Sequence, residues 1–184
     1  MKITPKQLVT CAALLAICLL STYLKTLSVY ITGPIVNACI ILATIFCGLL
    51  GGILLSIATP VAAYFIASSP ITQAVPLIVP MIMLGNCVLA LAVWIFYHKL
   101  HFRLHMEAGL IVGSLAKAAF MWLIIVRVIL HSSLAIDALG AKYDKTLAFA
   151  SGTFSVTQLI TALSGSALAV ILYYPLKAVS GQNE

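Results

Sequence analysis

The chain has 184 residues, 63% of them hydrophobic and 8% charged, with a formal net charge of +6. A water-soluble core of this length cannot hide so much apolar surface, since globular domains average about 25% charged residues. The composition excludes a soluble enzyme domain. No basic patch is interleaved with aromatic residues, so a nucleic-acid surface is excluded too, and the charges are read by position as a topology signal.

At about 20 residues per crossing, the chain has room for about five to seven transmembrane helices. Residues 1–184 are expected to form one transmembrane domain. Lys2 and Lys6 precede an apolar run that resembles a signal peptide, but no small-x-small cleavage site closes it. It reads as a retained first span, about Leu8 to Leu24. The apolar run from Pro34 to Ala67 is too long for one crossing, because its 34 residues would rise about 50 Å as a helix. Gly48, Gly51 and Gly52 interrupt it. A tight hairpin is expected there, with span two over Pro34 to Cys47, span three over Gly51 to Ala67, and a kink at Pro60. Span four covers Val75 to Tyr97, span five Ala108 to Leu130, and span six Gly152 to Leu176. A basic loop, His98 to His105, joins spans four and five; a longer polar segment, His131 to Ser151, joins spans five and six.

The charges test this count. Six spans place Lys2, Lys6, Lys99, Arg103 and Lys177 on one side and Lys25, Lys142 and Lys145 on the other. The first side is then cytoplasmic by the positive-inside rule. Five spans would carry Lys99 and Arg103 across and reverse the bias. The expectation is an all-α integral membrane protein: a compact bundle of six transmembrane helices with cytoplasmic N- and C-termini.

Lys117 lies near the middle of span five, about 15 Å above its inner end. A lysine at the bilayer centre costs roughly 2.5–3.5 kcal/mol on insertion scales. From the midplane its reach falls short of the headgroups, so a cavity or ligand is expected to meet it. Arg127 is expected near the outer surface, at the mouth of that cavity. On this topology Asn37, Asn86, Gln158 and Thr161 share the outer half of the membrane with them. A pocket open to the outside follows. Its ligand would be acidic or carbonyl-bearing, since the acids Glu107, Asp137, Asp144 and Glu184 all lie outside the core. Each of the neutral polar residues could instead bond across helices.

Small residues four apart mark close helix approach: Ala12 with Ala16, Gly109 with Gly113, and Gly165 with Ala169. These suit packing inside the bundle or a partner surface. The five cysteines (Cys11, Cys18, Cys39, Cys47 and Cys87) fall in apolar runs with no Cys-x-x-Cys pair. Neither a disulfide framework nor a metal site is expected. No phosphate-binding Gly-x-x-x-x-Gly-Lys-Ser/Thr loop, Ser/His/Asp set or zinc spacing is present. No catalytic activity and no cofactor are expected, and uphill transport would need a partner or an ion gradient.

Four stretches carry a resemblance: Gly33-Pro34-Ile35-Val36-Asn37-Ala38, Leu84-Gly85-Asn86, Gly113-Ser114-Leu115-Ala116-Lys117-Ala118, and Val156-Thr157-Gln158-Leu159-Ile160-Thr161-Ala162-Leu163. In their order and spacing the chain resembles the substrate-binding S components of energy-coupling factor (ECF) vitamin transporters. The resemblance implies capture of a small vitamin-like molecule from outside the inner (cytoplasmic) cell membrane. The pocket would be built by spans four to six and the first outer loop. It implies docking on a transmembrane coupling subunit driven by two ATPase subunits, through an Ala-x-x-x-Ala pattern that maps to Ala12 and Ala16, and toppling of the S component in the membrane. The aromatic-rich signatures of the thiamine and biotin members are absent. Rival readings are a structural or assembly subunit of similar fold with no transported ligand, and a gradient-driven carrier, for which 184 residues leave little room for inverted repeats.

Overall fold

A computed structural model describes residues 4–23, 28–100 and 104–180. Lys2, Lys25 and Arg103 of the charge argument, and Leu24 at the end of the first span, lie outside the described residues. The described chain is helical almost throughout: α1 (Pro5–Tyr23), α2 (Val29–Ala67), α3 (Pro70–Ala74), α4 (Ile78–His98), α5 (His105–Met121), α6 (Ser133–Leu139), α7 (Tyr143–Gly152) and α8 (Gln158–Ser180). A π-helical segment, Trp122–Ile129, continues α5, and a second, Thr153–Thr157, joins α7 to α8.

The 39 residues of α2 are two antiparallel arms. Gly48 has φ 76° and ψ −176°, a backbone region essentially reserved for glycine. In a straight helix Thr44 and Gly52 would be separated by about 12 Å along the axis. Here a Cβ added to Gly52 would overlap Thr44 Oγ1, and one added to Gly51 would lie 3.1 Å from the Ala43 carbonyl oxygen. The chain therefore folds back at Gly48, and the expected hairpin is present. Pro60 keeps helical backbone angles; within α2 the break is at Gly48. The first arm starts earlier than expected, at Val29, because the Ser28 side chain caps it by accepting from the Tyr30 amide. The polar segment before span six, His131 to Ser151, folds largely into α6 and α7.

Counting the α2 arms separately, the described residues form six long apolar helical stretches available to cross a membrane. Their order is legible from cross-contacts. Gln7 Nε2 donates to the Phe46 carbonyl (3.3 Å), and Cys47 Sγ donates to the Gln7 carbonyl (3.3 Å). Tyr97 and Tyr173 share a hydroxyl hydrogen bond of 2.8 Å, and the Phe46 ring stacks on Tyr173 at 5.9 Å. The start of α1, the Gly48 turn, the end of α4 and the last turns of α8 thus gather at one end of the bundle. Both described termini lie there, as an even number of crossings requires.

The first arm of α2 is the axis of the bundle. Every residue from Asn37 to Cys47 is buried, the pattern of a helix surrounded by other helices. One apolar cluster, including Ile40, Ile41, Leu42, Leu55 and Leu89, fills the terminus end. A second, including Ile78, Met121, Ile125, Leu130 and Phe154, fills the opposite end. Large apolar side chains such as Val9, Leu20, Phe65 and Ile171 point outward, as a lipid-facing surface requires.

Because no L-residue adopts the Gly48 geometry without strain, Gly48→Ala should cost about 1–3 kcal/mol. At about 2–4 °C per kcal/mol for a chain of this size, the melting temperature in detergent should fall measurably. An unchanged melt followed by tryptophan fluorescence would show that the turn does not need glycine.

Candidate functional site

The site is built around Asn37. A Cβ on Gly165 of α8 would lie 2.6 Å from Asn37 Cβ and 2.8 Å from the Pro34 carbonyl oxygen. Only glycine lets α8 come so close to the first arm of α2. One turn away, Gly33 gives the same room to Thr161, whose Cγ2 would lie 2.7 Å from an added Cβ. On the other side, α5 reaches in with Lys117, whose Nζ donates to Asn37 Oδ1 at 2.5 Å. The Ser114 and Ser166 hydroxyls, 3.1 Å apart, tie α5 to α8 one turn below.

Lys117 is 3% exposed and Asn37 2%. The acids among the described residues are Glu107, Asp137 and Asp144, and none lies in the cavity wall. The ammonium is held in the bundle by a neutral amide. Burial of a charge with so little compensation is costly, and is tolerated in membranes where a polar space adjoins it.

That space is a cavity of about 220 Å³ at the end away from the termini. Its wall includes Lys117, Asn37, Asn86, Gln158 and Thr161. Val29 and Phe149 at its rim are exposed, so it reaches the surface. Asn86 is 3% exposed, and its side-chain amide makes no hydrogen bond to a described residue.

Five of the six residues expected at the pocket thus line this cavity. Arg127, expected at its mouth, does not. It is exposed, with its guanidinium 5.8 Å from the centre of the Trp122 ring. The π-helical winding of Trp122–Ile129 turns Ile125, Val126 and Ile129 into the core and leaves Arg127 and Val128 outside. A straight α-helical count from Lys117 cannot anticipate that change of face, because a π turn shifts the register of everything after it.

Sequence reasoning missed the rim. Thr22, Thr32, Thr59, Ser69, Thr72 and Thr153 line it together with Phe149 and Phe154. The only signal was threonine recurring in apolar runs, which equally describes hydroxyls bonded to their own helix. Most of these hydroxyls do bond so: Thr22 donates to the Leu19 carbonyl, Thr72 to Ser69 and Thr153 to Phe149. Among the described residues no group of three or more His, Cys, Asp or Glu side chains could hold a metal ion.

The small-residue pairs also separate. Gly109 abuts Phe96 Cβ (2.6 Å for an added Cβ), and Gly113 abuts Leu89 Cδ1 at 3.0 Å and Ala92 at 3.3 Å, so this pair packs α5 against α4. Gly165 and Ala169 are buried. Ala12 and Ala16 are exposed on α1.

A family model described as "ECF transporter, substrate-specific component" matches residues 6–177. The chain belongs to this family. No curated protein and no solved structure matches it. The chain is thus a multi-pass membrane protein and a transporter subunit, and ECF substrate-specific components work with an ECF module. In this substrate-specific component the buried amine of Lys117 forms part of the cavity wall.

Thr59 Oγ1 is buried without a hydrogen-bond partner among the described residues. An unmet buried hydroxyl costs about 1–3 kcal/mol, so the near-isosteric Thr59→Val should stabilise the empty protein by about 1 kcal/mol. A lowered melting temperature in detergent would show that the hydroxyl finds a partner in solution.

Proposed function

We propose that this substrate-specific component captures a small vitamin-like molecule from outside the inner cell membrane in the cavity lined by Lys117, Asn37, Asn86, Gln158 and Thr161. The observation that carries the reading is the Lys117 ammonium. It is enclosed in the bundle, bonded among the described residues to a neutral amide alone, and set beside a cavity lined by polar groups. A structural subunit would gain nothing from that arrangement. In lipid the charge is a burden unless a ligand or water meets it.

The orientation follows from charge. Lys6, Lys99 and Lys177 stand at the end that holds the termini. The positive-inside rule makes that end cytoplasmic and the cavity extracellular. Delivery then requires the complex: a transmembrane coupling subunit and two ATPase subunits, since the chain has no nucleotide-binding loop of its own. Ala12 and Ala16, exposed on α1, are the proposed docking contact with the coupling subunit. Their small side chains would let a partner helix approach closely.

Two measurements test this. Lys117→Ala should weaken the molecule that co-purifies with the chain by about ten- to a hundredfold, the equivalent of one charge-assisted hydrogen bond. Equal affinity in a titration of the purified variant would return Lys117 to a structural role. Separately, Ala12→Trp or Ala16→Trp should weaken pull-down of the coupling subunit and leave ligand binding by the isolated chain intact. Unchanged pull-down with both variants would remove α1 from the docking surface.

A further inference from the structure

The cavity wall is polarised, and its polarity describes a ligand. An ammonium can only donate, so the Asn37 oxygen must be the atom facing Lys117, and the Asn37 nitrogen is left as a donor. Neither that nitrogen nor the Asn86 amide bonds to a described residue, and Lys117 keeps two further N–H groups. Donors therefore outnumber acceptors on the floor. The rim is the reverse. Thr32, Thr72, Thr153 and Thr161 each commit their hydroxyl proton to a backbone carbonyl, of Ser28, Ser69, Phe149 and Gln158 respectively. The oxygens of Thr32, Thr153 and Thr161 are left as acceptors, while Thr72 Oγ1 already accepts from the Ser69 amide at 3.0 Å.

Three more features narrow the choice. Lys117 is the sole ionisable side chain in the wall among the described residues, so one negative charge is matched and a second would be buried unpaired. The wall's aromatic residues are Phe149 and Phe154, both from the segment that leads into α8, and the floor offers no aromatic face for stacking a flat heterocycle. At about 220 Å³ the cavity is smaller than the roughly 300–1,000 Å³ typical of drug-sized ligands.

We propose that the ligand is a small aliphatic monocarboxylate. Its carboxylate sits on Lys117 between Asn37 and Asn86, and its hydroxyl or amide N–H donors point at the threonine rim. This rests on the cavity being the substrate site. A carboxylate accepts up to about four hydrogen bonds, which suits a floor of donors. The alkyl body lies against Val36, Ile71 and Ile82.

The test uses one skeleton in three charge states: mevalonate (one carboxylate, two hydroxyls), its neutral lactone, and 3-hydroxy-3-methylglutarate (two carboxylates). Nicotinamide serves as a flat neutral aromatic. Each is titrated into the purified full chain in detergent, and the midpoint of thermal stabilisation is read. Mevalonate should act at a concentration roughly ten- to a hundredfold below the other three. In Lys117→Met that preference should vanish while the empty protein melts no lower. Equal or better stabilisation by the lactone, the dicarboxylate or nicotinamide would overturn the assignment, as would no stabilisation by any of them. Small molecules carried through purification, analysed by mass spectrometry in both polarities, give an independent reading. A cation or an aromatic heterocycle would overturn this inference and leave the cavity standing as the substrate site. Undiminished retention of the carried-through molecule by a Lys117→Met, Asn86→Leu variant would sink the site as well.

Discussion

The hydrogen bond between Lys117 and Asn37 is the constraint to which the rest of the bundle answers. A long cationic side chain directed into an apolar assembly must find donors' partners there, and water is scarce. Asn37 can serve because the axial arm of α2 carries it into the centre, and that arm is central because the chain reverses at Gly48. Gly165 and Gly33 bring α8 against the same arm without a Cβ in the way. The bond thus joins α2 to α5 at the level where one apolar cluster ends and the other begins. The cavity reaches that level from the end away from the termini, so the charge faces space there.

The small residues divide by the same logic. Where two helices of the bundle must approach, glycine is in contact with a side chain or backbone of its neighbour, as at Gly109, Gly113 and Gly165. Ala12 and Ala16 have the same spacing but are left exposed by the described residues. α1 packs on α2 through Leu14 and Cys18, on its opposite face. Spacing alone is common to both situations. What separates them is whether the bundle has another helix to place there.

The two π-helical segments lie at the cavity end, one leading out of α5 and one leading into α8. Such segments are frequent at functional sites because the extra residue per turn re-aims side chains. Here the first removes Arg127 from the cavity wall and sends it to the outer surface, and the second sets Phe154 in the core with Gln158 following at the cavity. The cavity wall of the substrate-specific component therefore holds one lysine, two asparagines and a rim of hydroxyls.

By itself the sequence determined the solvent, the crossings and the centre. The apolar fraction demands lipid, the glycines at 48, 51 and 52 demand a reversal, and a lysine in mid-span demands a polar neighbour. Those conclusions depend on composition and on local backbone chemistry, which a linear reading contains. Four motifs in the right order were also enough to place the family, because order and spacing along the chain are linear properties too. Only the tertiary structure decided that Asn37 is the partner of Lys117, that Arg127 points away, that threonines from four separate elements form one rim, and which small-residue pair stays uncovered. In a helix that is apolar on every side, periodicity names no inward face. The face is set by neighbouring helices distant in sequence and, after each π turn, by a register shift that no residue type announces.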